Sequence, residues 1–273
     1  MVSLVIGSIL IGIIMQFVLG QSRFAASQAG REEVQQNLRG ALEVVASDLR
    51  GTISQSIAQA DEKAIQFALP ETWGLVCSST ATETLALFPT HLAAAVPTGH
   101  GVGLMASPPG GTVWLPALPT RATVSAATQL VLANTPTCLA LAPVGDVQVV
   151  RLTGANHPVA PAIPAGSRIA VYRRVHYELQ TTDGQTWIRR NAGYLNATTP
   201  NMQPLAGPVD ADSVSFRYLA AAPGNVPVAI LPPGTAAPTA NIRLVRFRAR
   251  TTSQQATGVP QSRQDSVTVQ IRN

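Results

Sequence analysis

The chain has 273 residues, of which 46% are hydrophobic and only 12% charged, with a formal net charge of +5. That composition excludes a disordered polar chain, and the absence of any run of Lys or Arg excludes a basic nucleic-acid arm. The cations are 18 Arg against the single Lys63, and an aromatic share of 5% leaves the core to be built from Ala, Val, Leu and Ile.

Residues 1–19 (MVSLVIGSILIGIIMQFVL) carry no charge, and Gln16 is the one strongly polar member. A helix of that length rises roughly 28 Å, close to the ~30 Å hydrocarbon layer of a bilayer. Leu4, Ile6, Ile9, Leu10, Ile13, Ile14 and Phe17 supply its apolar surface, so 1–19 is the predicted membrane or assembly segment. Gly7 and Gly12 suit close helix–helix approach. A secretory signal peptide would need a basic stretch ahead of the apolar run, and Phe24-Ala25-Ala26 is a poor small-x-small cleavage site.

The helical pattern continues. Val34, Leu38, Leu42, Val45, Leu49, Ile53 and Ile57 recur three or four positions apart, which places them on one face. The sequence therefore predicts one rod over 1–60, greasy all round in 1–19 and amphipathic in 20–60, followed by a β-rich domain over 61–273.

Within that domain the periodicity changes to alternation. Residues 82–88 and 128–132 read as strands, and between them 89–119 holds six prolines among many Gly and Ala residues. A loop insertion with short edge strands is predicted over about 89–127. The clearest strand signal is 168–190. Ile169, Val171, Val175, Tyr177 and Leu179, with Arg173 as the odd member, alternate with Tyr172, Arg174, His176 and Glu178, and Asp183-Gly184 supplies a tight hairpin turn. Further strands are predicted over 213–219, 243–250 and 266–272, with Val214, Phe216, Tyr218, Val245, Phe247, Ala249, Val267, Val269 and Ile271 inward. An antiparallel sheet with one apolar face needs a cover, and the 34–57 stripe is the obvious one. The predicted fold class is α+β, a long N-terminal helix packed on an antiparallel sheet. If that domain lies outside the cytoplasm, Cys77 and Cys138 are expected to pair. Closing their 61-residue separation is worth roughly 3–4 kcal/mol in the loop-entropy model. Two buried thiols acting as small hydrophobes are the alternative.

Catalytic chemistry finds no support. There is no Gly-x-Ser-x-Gly elbow, His-Glu-x-x-His helix or P-loop, so no enzyme and no cofactor is expected. His91, His100, His157 and His176 are scattered without metal-ligand spacing. Asp210 and Asp212 flank Ala211, but no further oxygen ligands complete a Ca²⁺ set. Arg173, Arg174, Arg189, Arg190, Arg217, Arg243, Arg246, Arg248 and Arg250 concentrate in the predicted sheet. Outward members such as Arg174, Arg217, Arg246 and Arg248 would form a basic face for DNA or an acidic polymer if their strands adjoin. The plainer reading is a solvated face with Arg guarding strand edges.

MVSLVIGSILIGIIMQFVLGQSRFAA followed by REEVQQNLRGALEVVASDLRG resembles the N-terminal helix of type IV pilin-like proteins, down to Asp48-Leu49-Arg50. The nearest likeness is to minor pilins of the PilW type and the related J-type pseudopilins of type II secretion. The closing stretch Asp265-Ser266-Val267-Thr268-Val269-Gln270-Ile271-Arg272-Asn273 is similar to that group's last strand. The likeness covers 1–60, 165–220 and 240–273 and is absent over 79–160. It implies a prepilin-derived, single-pass subunit of the bacterial inner membrane with its C-terminal domain extracytoplasmic. Its partners would be other pilin or pseudopilin subunits, met through the helix in a type IV pilus or pseudopilus at the cell surface. The family's processing motif, Gly-Phe-Thr-Leu-x-Glu behind a basic leader, is missing. Met1 aligns just after its glutamate, so a start further upstream is expected. A tethered β-domain that binds a ligand without forming a fibre is the alternative.

Overall fold

The N-terminal rod is a single helix, α1 (Val2–Gly51). It belongs to a computed structural model that describes residues 2–52, 56–80, 83–93, 102–107, 115–116, 122–124, 126–142, 146–153, 163–193, 201–221, 227–229, 242–252 and 262–271. The helix stops at Gly51 instead of running to residue 60. Glycine is a poor helix former, and a Cβ there would come within 2.7 Å of Leu69 Cδ1. The Thr52 hydroxyl donates to the Ala68 carbonyl at 2.7 Å, turning the chain into the sheet. The expected stripe is corrected at its end. Ile53 lies outside the described residues, and Ile57 is buried on a strand, β1 (Ile57–Ala60), not on the helix.

The rest of the described chain is mostly strand. In order come β2 (Ala64–Ser79), β3 (Glu83–Pro89), the turn α2 (Thr90–Ala93), β4 (Val102–Ser107), β5 (Leu115–Pro116), β6 (Ala122–Val124) and β7 (Ala126–Leu130). A 3-10 turn (Leu132–Asn134) and α3 (Pro136–Leu139) lead to β8 (Val147–Thr153), β9 (Arg168–Thr182) and β10 (Gln185–Gly193). Then follow β11 (Gln203–Val209), β12 (Ser215–Ala221), β13 (Pro227–Ala229), β14 (Ile242–Thr252) and β15 (Ser262–Gln270). The sheet order is β13-β12-β14-β11-β10-β9-β2-β3-β8-β7, with β1 on β2, β15 on β14 and β4 on β9. Asp183 and Gly184 close the β9–β10 hairpin at φ 53° and 74°, the left-handed conformation such a turn demands.

Two long strands are the spine. β2 and β9 pair antiparallel from Ala64 opposite Glu178 to Leu75 opposite Arg168, with a bulge between Pro70 and Thr72. Their first-paired ends serve the core under α1, where Ile65, Phe67, Val175 and Tyr177 join Phe216, Val245, Phe247, Val269 and Ile271. Their far ends serve a second core of Val76, Ala86, Phe88, Val150, Leu152, Ile169 and Val171. Ala170 and Tyr172 are buried on the opposite face of β9. The insertion expected as loop with short edge strands adds the short strand β4 to the sheet, where Gly103–Ser107 pairs with Arg168–Tyr172. Lys63, the only lysine, donates to the Ala211 carbonyl and, at 2.8 Å, to that of Val214, fastening the turn before β12.

Candidate functional site

The unusual feature of the molecule is an apolar helix surface that the domain leaves uncovered. Leu10, Ile11, Ile13, Ile14, Met15, Phe17, Val18, Leu19 and Phe24 are 51–66% exposed, on every side of α1. The side chains of Leu4, Ile6 and Ile9 lie outside the described residues. By length and composition, α1 is the one helix among the described residues able to cross a membrane, and none of its most apolar stretch is buried. Each such side chain gains roughly 1.5–3 kcal/mol on burial, so in water this surface demands a cover of lipid or other helices.

The same helix is held rigidly further on. Val34, Leu38, Leu42, Val45 and Leu49 are each at most 7% exposed, and Ala41 and Ala46 lie buried between them, letting the backbone approach the sheet. Burying the five large side chains contributes on the order of 8–15 kcal/mol as an upper bound. At one end the Thr251 hydroxyl on β14 reaches the Val34 carbonyl at 3.5 Å.

A polar clamp fixes the other end. Asp48 Oδ2 accepts from the Tyr177 hydroxyl at 2.6 Å and from Arg190 Nε at 2.9 Å, while Arg190 Nε lies 3.2 Å from the Tyr177 oxygen. Helix α1 is thereby joined to β9 and β10 through a residue 9% exposed. Burial pushes the Tyr177 hydroxyl well above its ordinary pKa, and the hydrogen bond to the Asp48 carboxylate pushes it further. Burial pulls the Arg190 guanidinium down, but its hydrogen bond to Asp48 and the charges beside it more than offset this, so its pKa rises. Sequence reasoning did not find the clamp. Its signal was present: Asp48 falls three positions after Val45 and so borders the apolar stripe.

Cys77 and Cys138 form a disulfide with Cα atoms 4.8 Å apart. It ties α3 to β2 over a small cluster with Leu87 and Val149, separate from the core under α1. The arginines divide. Arg217, Arg246 and Arg248 stand together on the sheet face away from α1, whereas Arg174 is on β9, with β10 and β11 between it and β14. The grouping with Arg174 is therefore corrected, because the sheet order puts it elsewhere. Arg173 pairs with Glu71 at 3.0 Å, and Arg189 donates to Gln180 and, at 2.6 Å, to the Met202 carbonyl.

His176 has its Nε2 buried without a hydrogen-bond partner. Burial lowers its pKa, and Arg174 adds to this against the opposing pull of Glu178. Asp210 accepts from the Ser213 hydroxyl at 2.8 Å and the Asp212 amide at 3.2 Å, which lowers its carboxyl pKa and explains it as a turn residue. Among the described residues no three His, Cys, Asp or Glu side chains come together as a metal would need. No protein-family model matches the chain, and no match is found among curated proteins or solved structures.

Proposed function

We propose that this chain is a non-enzymatic assembly subunit of the type IV pilin-like kind, a minor pilin or pseudopilin that enters a fibre or its initiating complex through α1. One observation carries the reading. A single continuous helix is apolar and uncovered on all sides over residues 10–19, then clamped to a sheet further on. A rod of this design transmits force from its exposed part to the domain, because the packed part continues the same helix and ends in an ion pair to the sheet. Before assembly the exposed part resides in the inner membrane as a single-pass anchor with the domain extracytoplasmic. In the fibre the helices of sister subunits replace the lipid. Both settings satisfy the same apolar surface, so movement between them needs no refolding of the domain.

The test is fractionation. Membranes and mechanically sheared surface or periplasmic assemblies from the source organism are probed for the chain, beside a variant carrying Ile13→Asp and Ile14→Asp. The reading expects the native chain in both fractions and the variant in neither. A native chain confined to the membrane fraction under all conditions refutes it and favours a tethered β-domain.

A further inference from the structure

We propose that the outer face of β12, β14 and β15 is a docking surface for the phosphate backbone of duplex nucleic acid, bound without reading base sequence. The inference rests on the sheet alone and stands whether or not the chain enters a fibre.

Four guanidinium groups share this face. Arg246, Arg248 and Arg250 alternate along β14 with the buried Val245, Phe247 and Ala249, so they point away from α1. Arg217 on β12 is directly opposite Arg246. A strand rises ~3.4 Å per residue, so successive arginines on β14 are set about 6.8 Å apart, in a straight row. The plain explanation, charge guarding an exposed strand edge, does not apply. β14 is an interior strand, paired with β12 on one side and β15 on the other. Nor does stability explain the arrangement, because like charges directly across two strands destabilise the pair.

The charges are positioned but barely neutralised. Arg246 Nε donates to Thr268 Oγ1 at 3.1 Å, Arg248 Nη2 to Gln264 Oε1 at 2.8 Å, and Arg250 Nη2 to Ser262 Oγ at 3.1 Å. All three lean over β15 onto neutral oxygens. Of the carboxylates nearby, Glu62 is 3.4 Å from Arg217, Asp210 is held by Ser213 and the Asp212 amide and also feels the charge of Arg250, and Asp265 on β15 pairs with Arg263 at 3.9 Å. Arginine beside hydroxyl and amide side chains is the donor set that contacts phosphates. No aromatic side chain stands among the described outward residues of these three strands, which removes the stacking platform a single strand would use and leaves a duplex.

The experiment uses the full chain in neutral detergent micelles and a fluorescently labelled random-sequence DNA duplex, with anisotropy read from low to physiological salt. Contact with three phosphates gives a slope of log K against log salt of about −2.7, or roughly a 40-fold loss between 50 and 200 mM. Replacing Arg246→Gln and Arg248→Gln together should flatten the slope by about 1.8, and the Arg246→Lys, Arg248→Lys variant should keep it. Thermal midpoints of both variants establish that they are folded. Binding that is salt-independent, or unchanged in the Gln variant, overturns the proposal. So does equal or tighter binding of polyglutamate, or of a single strand of the same length.

Discussion

Replacing Asp48 with Ala tests whether the helix is fastened to the sheet by the clamp as well as by grease. The substitution removes two hydrogen bonds to a carboxylate, at 2.6 and 2.9 Å, and leaves the Tyr177 hydroxyl inside a core where that residue is 0% exposed. Breaking a buried ion pair by removing one partner costs about 3–5 kcal/mol. The Arg190 side chain is 27% exposed and can recover some hydration, so the lower end, about 3 kcal/mol, is expected. Asp48→Asn keeps an acceptor for Tyr177 and loses only the charge facing Arg190, for about half that loss. Replacing all three, Asp48→Leu with Tyr177→Phe and Arg190→Leu, should return most of the stability, because no buried polar group is then left unpaired. The assay is urea unfolding of the full chain in neutral detergent, followed by the fluorescence of its three tryptophans, Trp73, Trp114 and Trp187. A loss below about 1 kcal/mol for Asp48→Ala, or a triple variant no better than the single one, would refute the reasoning.

Three other perturbations follow from the geometry. Cys77→Ser with Cys138→Ser opens a loop of 61-residue separation and should lower stability by about 4 kcal/mol, read as a fall in thermal midpoint relative to the oxidised native chain. Gly74→Ala places a Cβ 2.5 Å from the Leu87 carbonyl oxygen and within 3 Å of the Phe88 ring, so a loss of about 1–3 kcal/mol in the same unfolding assay is expected. His176, facing Arg174 and Glu178 on its own strand and flanked by Asn191 and Gln66, has a folded pKa below its ordinary value of 6.5. The unfolded chain therefore takes up the proton first, and the stabilisation present above pH 6.5 is lost as pH falls through the folded pKa. Thermal midpoints at pH 7.5 and 5.5 should converge in His176→Gln relative to the native chain; an unchanged gap would show that carboxylates alone set the pH dependence.

The sequence showed the helix and the inward faces of β9, β12, β14 and β15 because each carries a clear period, 3.6 in one case and 2 in the others, broken on β9 only at Arg173. It hid β2. Pro70 and Gly74 interrupt the alternation, and the bulge between Pro70 and Thr72 shifts the strand's register midway. The division into two cores left one trace: Arg173 breaks the apolar face of β9 between Val171 and Val175, but only the partner strands reveal that Ile169 and Val175 serve different clusters. The stripe was overextended to Ile57 because a strand residue pointing into the same core mimics the next helical step. The clamp depends on residues from three elements, Asp48, Tyr177 and Arg190, whose meeting is a matter of tertiary register. The same is true of the basic face, where strand order decides that Arg217 meets Arg246 and that Arg174 does not.

The most direct test of the assembly reading is site-specific photo-crosslinking of the full chain in its source cells, with the reactive side chain at Ile14 or at Val45. Ile14 is 59% exposed and Val45 is 0% exposed. The account predicts that position 14 crosslinks to the apolar helix of another subunit in sheared assemblies, while position 45 crosslinks only within the chain. Position 14 reaching lipid alone, in a protein that never leaves the membrane, would contradict it.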